Sequence, residues 1–384
     1  MDDPRNTDAV ERSDARQSDG RAATPKGNHS MLNSLHTFFS KGGSAAGANR
    51  TMRSLRAGSA ALALTAGLAT AALPGAASAE DASTYPSHPI TFVVPSPAGG
   101  TSDVIARLVA RKLSEKLGQS IIVENRSGAN GYIGTSAVLR APKDGYMYAV
   151  MSGSLHSFTP AMVNKMPFDP IEDFALVSRL AEYPYILVTS KNSPYNNLSD
   201  LIKAGKDGKT ELSYGSYGTG SSPHLITELL KLKTGMAATH IPYKGGGQSS
   251  ADLIGGQISF MFSSLPAATA QVQSGQAKAL AITSAQRNPA FPNVPTVAET
   301  LPGFETISWL GLGTAKGTPA YATDKIRNAL IEISKDPEYI KAMRGMSAEV
   351  KVDASAADFH QYMVSELAKW NDVVKEAKIP KQEE

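Results

Sequence analysis

The stretch VVPSPAGGTSDVIARL, residues 93–108, decides the fold. Ile90 to Val94 reads as a buried strand that ends at Pro95. Gly99 and Gly100 follow, then Thr101, Ser102 and Asp103. Apolar residues return at Val104, Ile105, Leu108, Val109 and Leu113, the spacing of one helical face. A strand therefore passes to a helix through a turn with little side chain. Such a turn leaves the helix's first N–H groups exposed, and these favour an anion. Glycine lets the backbone approach a ligand closely. The plainer reading is a helix cap supplied by Thr101, Ser102 or Asp103.

The same design recurs, which favours the binding reading. It appears in LSYGSYGTGSSPHLI (212–226) and HIPYKGGGQSSADLI (240–254), and without the glycine run in AVMSGSLHSFTP (149–160). In open α/β sheets, ligands sit beyond the carboxyl ends of the strands, where these turns lie.

Working outward, short strands are expected at 121–123, 147–151, 176–180, 185–188, 239–241, 258–262 and 279–282, alternating with helical patterns. Pro184 separates two of them. Leu225, Leu229 and Leu232 form one helix face. Phe359, Met363, Leu367, Trp370 and Val374 form the core stripe of a long final helix. The alternation predicts an α/β protein with mainly parallel sheets. Roughly 300 residues are large for one core. No polar linker interrupts them, so two lobes joined by extended crossings at 183–189 and 305–311 are expected.

The N-terminus reads differently. Residues 1–51 are polar and charged over most of their length, and read as a disordered or mis-started extension; Met1, Met31 and Met52 are all possible starts. Residues 52–79 read as a signal peptide. Arg53 and Arg56 precede an apolar run, and Ala77-Ser78-Ala79 forms a cleavage site, with cleavage expected after Ala79. Removing nine of the 38 Lys/Arg and six of the 35 Asp/Glu leaves 29 of each. A near-neutral mature chain offers no footprint for nucleic acid or a membrane surface. The chain has no cysteine, which excludes disulfides, thiolate metal sites, thiol catalysis and a lipid-modified cysteine anchor. A periplasmic, unanchored protein is expected.

Catalytic and cofactor motifs are missing. There is no H-E-x-x-H, no G-x-S-x-G and no phosphate loop. GTGSSP at Gly218 to Pro223 begins like a dinucleotide fingerprint but ends in proline. No cofactor and no metal are expected.

At this point the residues resemble a known family. YPSHPITFVVPSPAGGTSDVIAR, VENRSGANGYIGT, PKDGY, GSYGTGSSPHL, HIPYKGGG, DLIGGQISFMF and AITSAQRNPAFPNVPTVAE together are similar to the Bug family, the periplasmic substrate-binding proteins of tripartite tricarboxylate transporters. The resemblance runs from about Tyr85 to Ile379. It implies a two-lobed Venus-flytrap fold, type II-like, with lobe 1 at 80–184 and 306–384 and lobe 2 at 185–305. It implies a monomeric receptor that binds a small carboxylate and passes it to a membrane permease or reports it to a sensor kinase. Carried over, the first lobe offers Ser96, Ala98, Gly99, Gly100, Thr101 and Asp103, the last capping its helix and orienting the loop. Ser152, Ser154 and His156 line the cleft. The second lobe offers Gly218, Thr219, Gly220, Ser221, Ser222 and Ser263. Ser96, Thr159 and Ser263 depart from the family's usual aromatic, Asn and acidic residues, which bears on ligand identity. Lys244, before three glycines, reads either as a solvated lysine or as a cleft cation for a second carboxylate. The competing readings are an exported hydrolase using a cleft serine with His156 or His224, and an envelope adaptor without ligand.

Overall fold

The computed structural model describes residues 82–376 and 378–381. The expected extension, signal peptide and cleavage after Ala79 lie outside the described residues. All of the described residues fall within one unit, Gly75–Glu384.

The opening stretch folds as its pattern demands. β1 (Ile90–Val94) is buried except for half-buried Thr91. α1 (Thr101–Leu117) starts after Gly100 and stops at Gly118, whose φ of 70° returns its N–H to the Ser114 carbonyl. Ile105, Leu108, Val109 and Leu113 are buried, while Val104 lies on the exposed edge of the stripe. β2 (Ile121–Asn125), α2 (Tyr132–Leu139) and β3 (Met147–Ser152) follow, and β1 pairs in parallel with both strands. A π-turn over Ser154–Phe158 and α3 (Thr159–Met162) lead to β4 (Phe174–Ser190).

A second parallel unit is built from α4 (Leu198–Lys206), β5 (Ser213–Ser216), α5 (Ser222–Thr234), β6 (Thr239–Pro242), α6 (Gly246–Ile254) and β7 (Phe260–Ser264). Here β5 lies between β6 and β7. After α7 (Leu265–Gln273), β8 (Ala277–Ile282) and α8 (Val297–Thr300), β9 (Ile307–Ala315) pairs back with β3. The chain ends with α9 (Ala320–Ile333), α10 (Pro337–Gly345), β10 (Glu349–Val350) and α11 (Ala356–Glu376). The strand order is β2-β1-β3-β9-β4-β7-β5-β6, with β10 and β8 also paired to β4.

Two expectations change. The sheet is mixed rather than mainly parallel, because β4 and β9 cross its middle and pair antiparallel with β3, β7, β8, β10 and each other. The strands expected at 176–180 and 185–188 are one strand of 17 residues. Pro184 does not break it. It stands between Glu182, which faces β10, and Tyr185, which faces β7. That gap needs no ladder donor on this edge, so a residue without an N–H fits there. Leu232 also leaves its expected face and is exposed.

The core is divided. One cluster packs β1, β3 and α1 with α9, and another packs β5, β7, α4 and α5. The final helix touches more than one cluster. Phe359 and Met363 pack with Trp309, whereas Trp370 and Val374 join the β5–β7 cluster, with Trp370 stacked on Phe158 at 4.1 Å. Its apolar stripe is as expected, and its length lets one stripe serve both cores.

Candidate functional site

The glycine turns face one another. Thr101 Oγ1, in the first turn of α1, lies 2.8 Å from Ser264 Oγ, at the end of β7. Ser222 N–H donates to Ser154 Oγ at 3.5 Å, and Thr159 Oγ1 donates to the Gly220 carbonyl at 3.5 Å. A Cβ on Gly218 would lie 3.3 Å from Asn130 Oδ1. The ends of β1 and β3 thus meet the ends of β5 and β7, and the residues in these contacts are uncharged.

The first turn is held by its acid. Gly99, at φ +79°, donates its N–H to Asp103 Oδ2 at 2.8 Å. The residue at the cap position is Gly100, and no side chain caps α1. Asp103 therefore ties down the Gly99 amide but does not occupy the cap position expected of it. Arg107 pairs with Asp103 Oδ1 at 2.9 Å, in ion-pair contact rather than in good hydrogen-bond alignment. Burial pushes the Asp103 carboxyl up, but Arg107, the Gly99 amide and Asn125 outweigh it and hold it below its ordinary value. With its charge matched, Asp103 ties the Gly99 amide and leaves the start of α1 without a side-chain cap. Ala98 and Gly99 are exposed, and the buried Ser96 hydroxyl has no hydrogen-bond partner among the described residues.

The turn at 216–221 spends much of its backbone internally. Gly218 N–H donates to Ser216 Oγ at 3.1 Å, Gly220 N–H to His224 Nδ1 at 3.1 Å, and Ser221 N–H to the Gly218 carbonyl at 3.2 Å. The Gly218, Gly220 and Ser221 amides are thus turned into the protein, while the Thr219 amide has no such partner among the described residues. Deeper in, the Ser222 and Ser308 hydroxyls lie beside the Tyr185 phenol without reaching full hydrogen-bond geometry. Burial pushes the Tyr183 phenol up to about 12 and Tyr185 well above its ordinary value, so both stay neutral.

Two expected site residues move. His156 does not line the cleft: it is fully buried among Phe168, Phe174 and Trp309. Its Nδ1 accepts from Ser152 N–H at 3.3 Å, and burial brings its pKa down to about 4. The π-turn carries it inward, leaving Ser154 beside Ser222, while Ser152 Oγ accepts from Leu155 N–H. Ser263 is also buried, with its hydroxyl 3.0 Å from the Tyr217 hydroxyl. Its neighbour Ser264 reaches the first turn instead, because successive strand residues point to opposite faces.

Sequence reasoning missed Ser264, Tyr217 and Asn130. Asn130 carried a signal: it lies in GANGYIGT, and residues Gly128, Ala129, Asn130 and Gly131 all have positive φ (126°, 44°, 51° and 97°). Backbone in such rare regions gathers at functional sites. Lys244 is exposed and makes no ion pair among the described residues. Among the described residues no group of three or more His, Asp or Glu could hold a metal.

Two α/β units joined by crossing strands, with facing turns, define the fold of a periplasmic binding protein. The model of the tripartite tricarboxylate transporter family receptor matches residues 105–379, and the chain belongs to that family. It is similar to the protein BugT of Bordetella pertussis, 35% identical over 307 residues, covering 79% of this chain and 94% of BugT. An R. palustris protein solved with adipate is 35% identical with a TM-score of 0.74, covering 77% of this chain and 99% of its own. MatC from Rhodopseudomonas palustris, solved with malate, is 29% identical with a TM-score of 0.70, covering 76% of this chain and 100% of its own.

Proposed function

We propose that this protein is a periplasmic receptor that binds a small organic carboxylate between its lobes, for uptake or sensing. The observation that carries this reading is the start of α1, which no side chain caps, facing the end of β7 across the Thr101–Ser264 contact. The positive end of α1, a helix of 17 residues, favours an anion there without a fixed cation. Hydroxyls from Thr101, Ser154, Ser222 and Ser264 add donors, and Ser96, Gly100 and Thr219 complete the proposed set. Adipate and malate in the two related structures support a carboxylate as the ligand class.

In this reading the lobes are 80–184 with 306–384, and 185–305. The chain is exported by residues 52–79, is cleaved after Ala79 and acts as a monomer. Ligand closes the cleft by making contacts that only the closed state offers. The loaded form engages a membrane permease or a sensor kinase.

The protein binds without catalysis in this reading. The Ser–His hydroxyl contact among the described residues, Ser216 Oγ to His240 Nε2 at 2.7 Å, uses a fully buried serine already engaged with Gly218. The Nδ1 atoms of His156 and His224 are occupied by backbone amides.

The test is a thermal-shift screen with malate, adipate, succinate, citrate and acidic amino acids, after partial unfolding and dialysis to remove any retained ligand. A ligand at about 100 times its Kd stabilises the fold by about 2.7 kcal/mol. A selective upward shift with stoichiometric binding and no product is expected. No shift with any acid would overturn the carboxylate reading, and turnover would overturn the receptor reading.

A further inference from the structure

We infer that His224 and His240 are positioning residues: as a stacked pair they hold the 218–221 turn from behind, and anion binding at that turn requires His224 to remain unprotonated. This rests on the reading of that turn as part of an anion site.

The two rings lie 4.0 Å apart at 8°, and Tyr214 stacks on the far side of His240 at 4.9 Å. They grip opposite ends of the turn. His224 Nδ1 accepts the Gly220 amide. His240 Nε2 contacts Ser216 Oγ, which in turn accepts the Gly218 amide and donates to the Gly218 carbonyl. Amides 218 and 220 are thereby drawn inward, leaving the Thr219 amide between them as the one in 218–221 without a partner among the described residues. Without the pair, glycines at φ 121° and 76° would be free to turn their amides elsewhere.

A proton on His224 breaks this arrangement by simple geometry, whereas His240, with Ser216 Oγ donating to the Gly218 carbonyl, is the donor to Ser216 through Nε2–H. His224 Nδ1 must be bare to accept from Gly220, and a protonated ring would set one donor against another. Two stacked imidazoles also cannot both carry charge at 4.0 Å without strong repulsion. The charged neighbours do not offset this. Glu228 accepts from the Tyr214 hydroxyl, and Lys231 lies 2.7 Å from Glu228 and over the Tyr214 ring at 5.6 Å. Burial is the main cause lowering His224, with Glu228 raising it and Lys231 lowering it. Burial, then His224 and Lys231, brings His240 down to about 3. Both rings are neutral at neutral pH, and the turn is set.

The experiment uses the full chain labelled with 15N at histidine and glycine. As pH falls from 7 towards 4, the Gly218 and Gly220 amide resonances are expected to move together with the His224 ring nitrogens. At pH 7, calorimetry with succinate and citrate reads the binding arm. His224→Leu, which keeps bulk but offers no acceptor, is expected to weaken binding by about 10-fold. His224→Asn, whose Oδ1 stands near the lost Nδ1, is expected to restore most of it. Glycine amides that ignore the histidine titration, or His224→Leu binding as tightly as wild type, would overturn the inference. If wild type binds neither acid, the anion reading of these probes fails separately, and the glycine amides alone decide whether the pair holds the turn.

Discussion

Asp103 offers the clearest test of how the first turn is held. Its carboxylate is buried, accepts the Gly99 amide at 2.8 Å and pairs with a half-exposed Arg107. A hydrogen bond to a charged acceptor contributes about 1.5–3 kcal/mol where the freed group stays buried. Gly99 is exposed, so water replaces part of that loss. The Arg107 pair adds at most about 1 kcal/mol, because the guanidinium is screened. Asp103→Ala is therefore expected to cost about 1–2 kcal/mol, a fall in Tm of roughly 2–6 °C for a domain of this size. Asp103→Asn keeps an acceptor for Gly99 and is expected to cost under about 1 kcal/mol. The two substitutions should part further in binding. The alanine variant loosens the turn and weakens the anion site. The asparagine variant keeps the turn, frees Arg107 and binds an anion at least as well as wild type. Urea unfolding with calorimetry on both proteins measures this. Asp103→Ala matching wild type in both readouts would refute the argument that this carboxylate holds the turn.

Three further outcomes are expected. His156 has a folded-state pKa of about 4 against an ordinary 6.5, so its contribution is complete above about 6.5 and is lost as pH falls towards 4. A gap of about 2.5 pH units at about 1.4 kcal/mol each gives a loss of about 3 kcal/mol, and His156→Phe should flatten that part of the stability–pH profile. Gly311→Ala places a methyl against Phe359 and the Ser178 carbonyl inside β9, and urea unfolding should show about 1–3 kcal/mol of destabilisation. Thr101→Val removes the hydroxyl that meets Ser264, and calorimetry should show weaker binding with Tm of the empty protein within about 2 °C of wild type.

The arrangement also bears on the closure proposed above. β4 runs unbroken through both halves of the sheet, and α11 packs Phe359 and Trp370 into different clusters. In the proposed closure, the lobes would move by bending extended strand and pivoting one helix, rather than by swinging on a loose linker.

The sequence by itself determined the local elements and the identity of the turns. The run Ile90 to Val94, the glycines at 99 and 100 and the helical stripe from Ile105 to Leu113 each carry their structure within a few residues, so β1 and α1 fall where the pattern puts them. The stripe from Phe359 to Val374 likewise specifies a helix. What only the tertiary structure decided depends on partners far away in the chain. The pattern of 174–190 is compatible with two strands around a proline, and only the neighbours on each edge make it one. His156 and Ser154 are two residues apart, and a π-turn sends one into an aromatic core and leaves the other beside Ser222. Ser263 and Ser264 are equally polar, and strand alternation alone leaves open which of them meets Thr101, 163 residues from Ser264. Local propensity fixes an element over a few residues, but the direction of a side chain at its end is set by what packs against it.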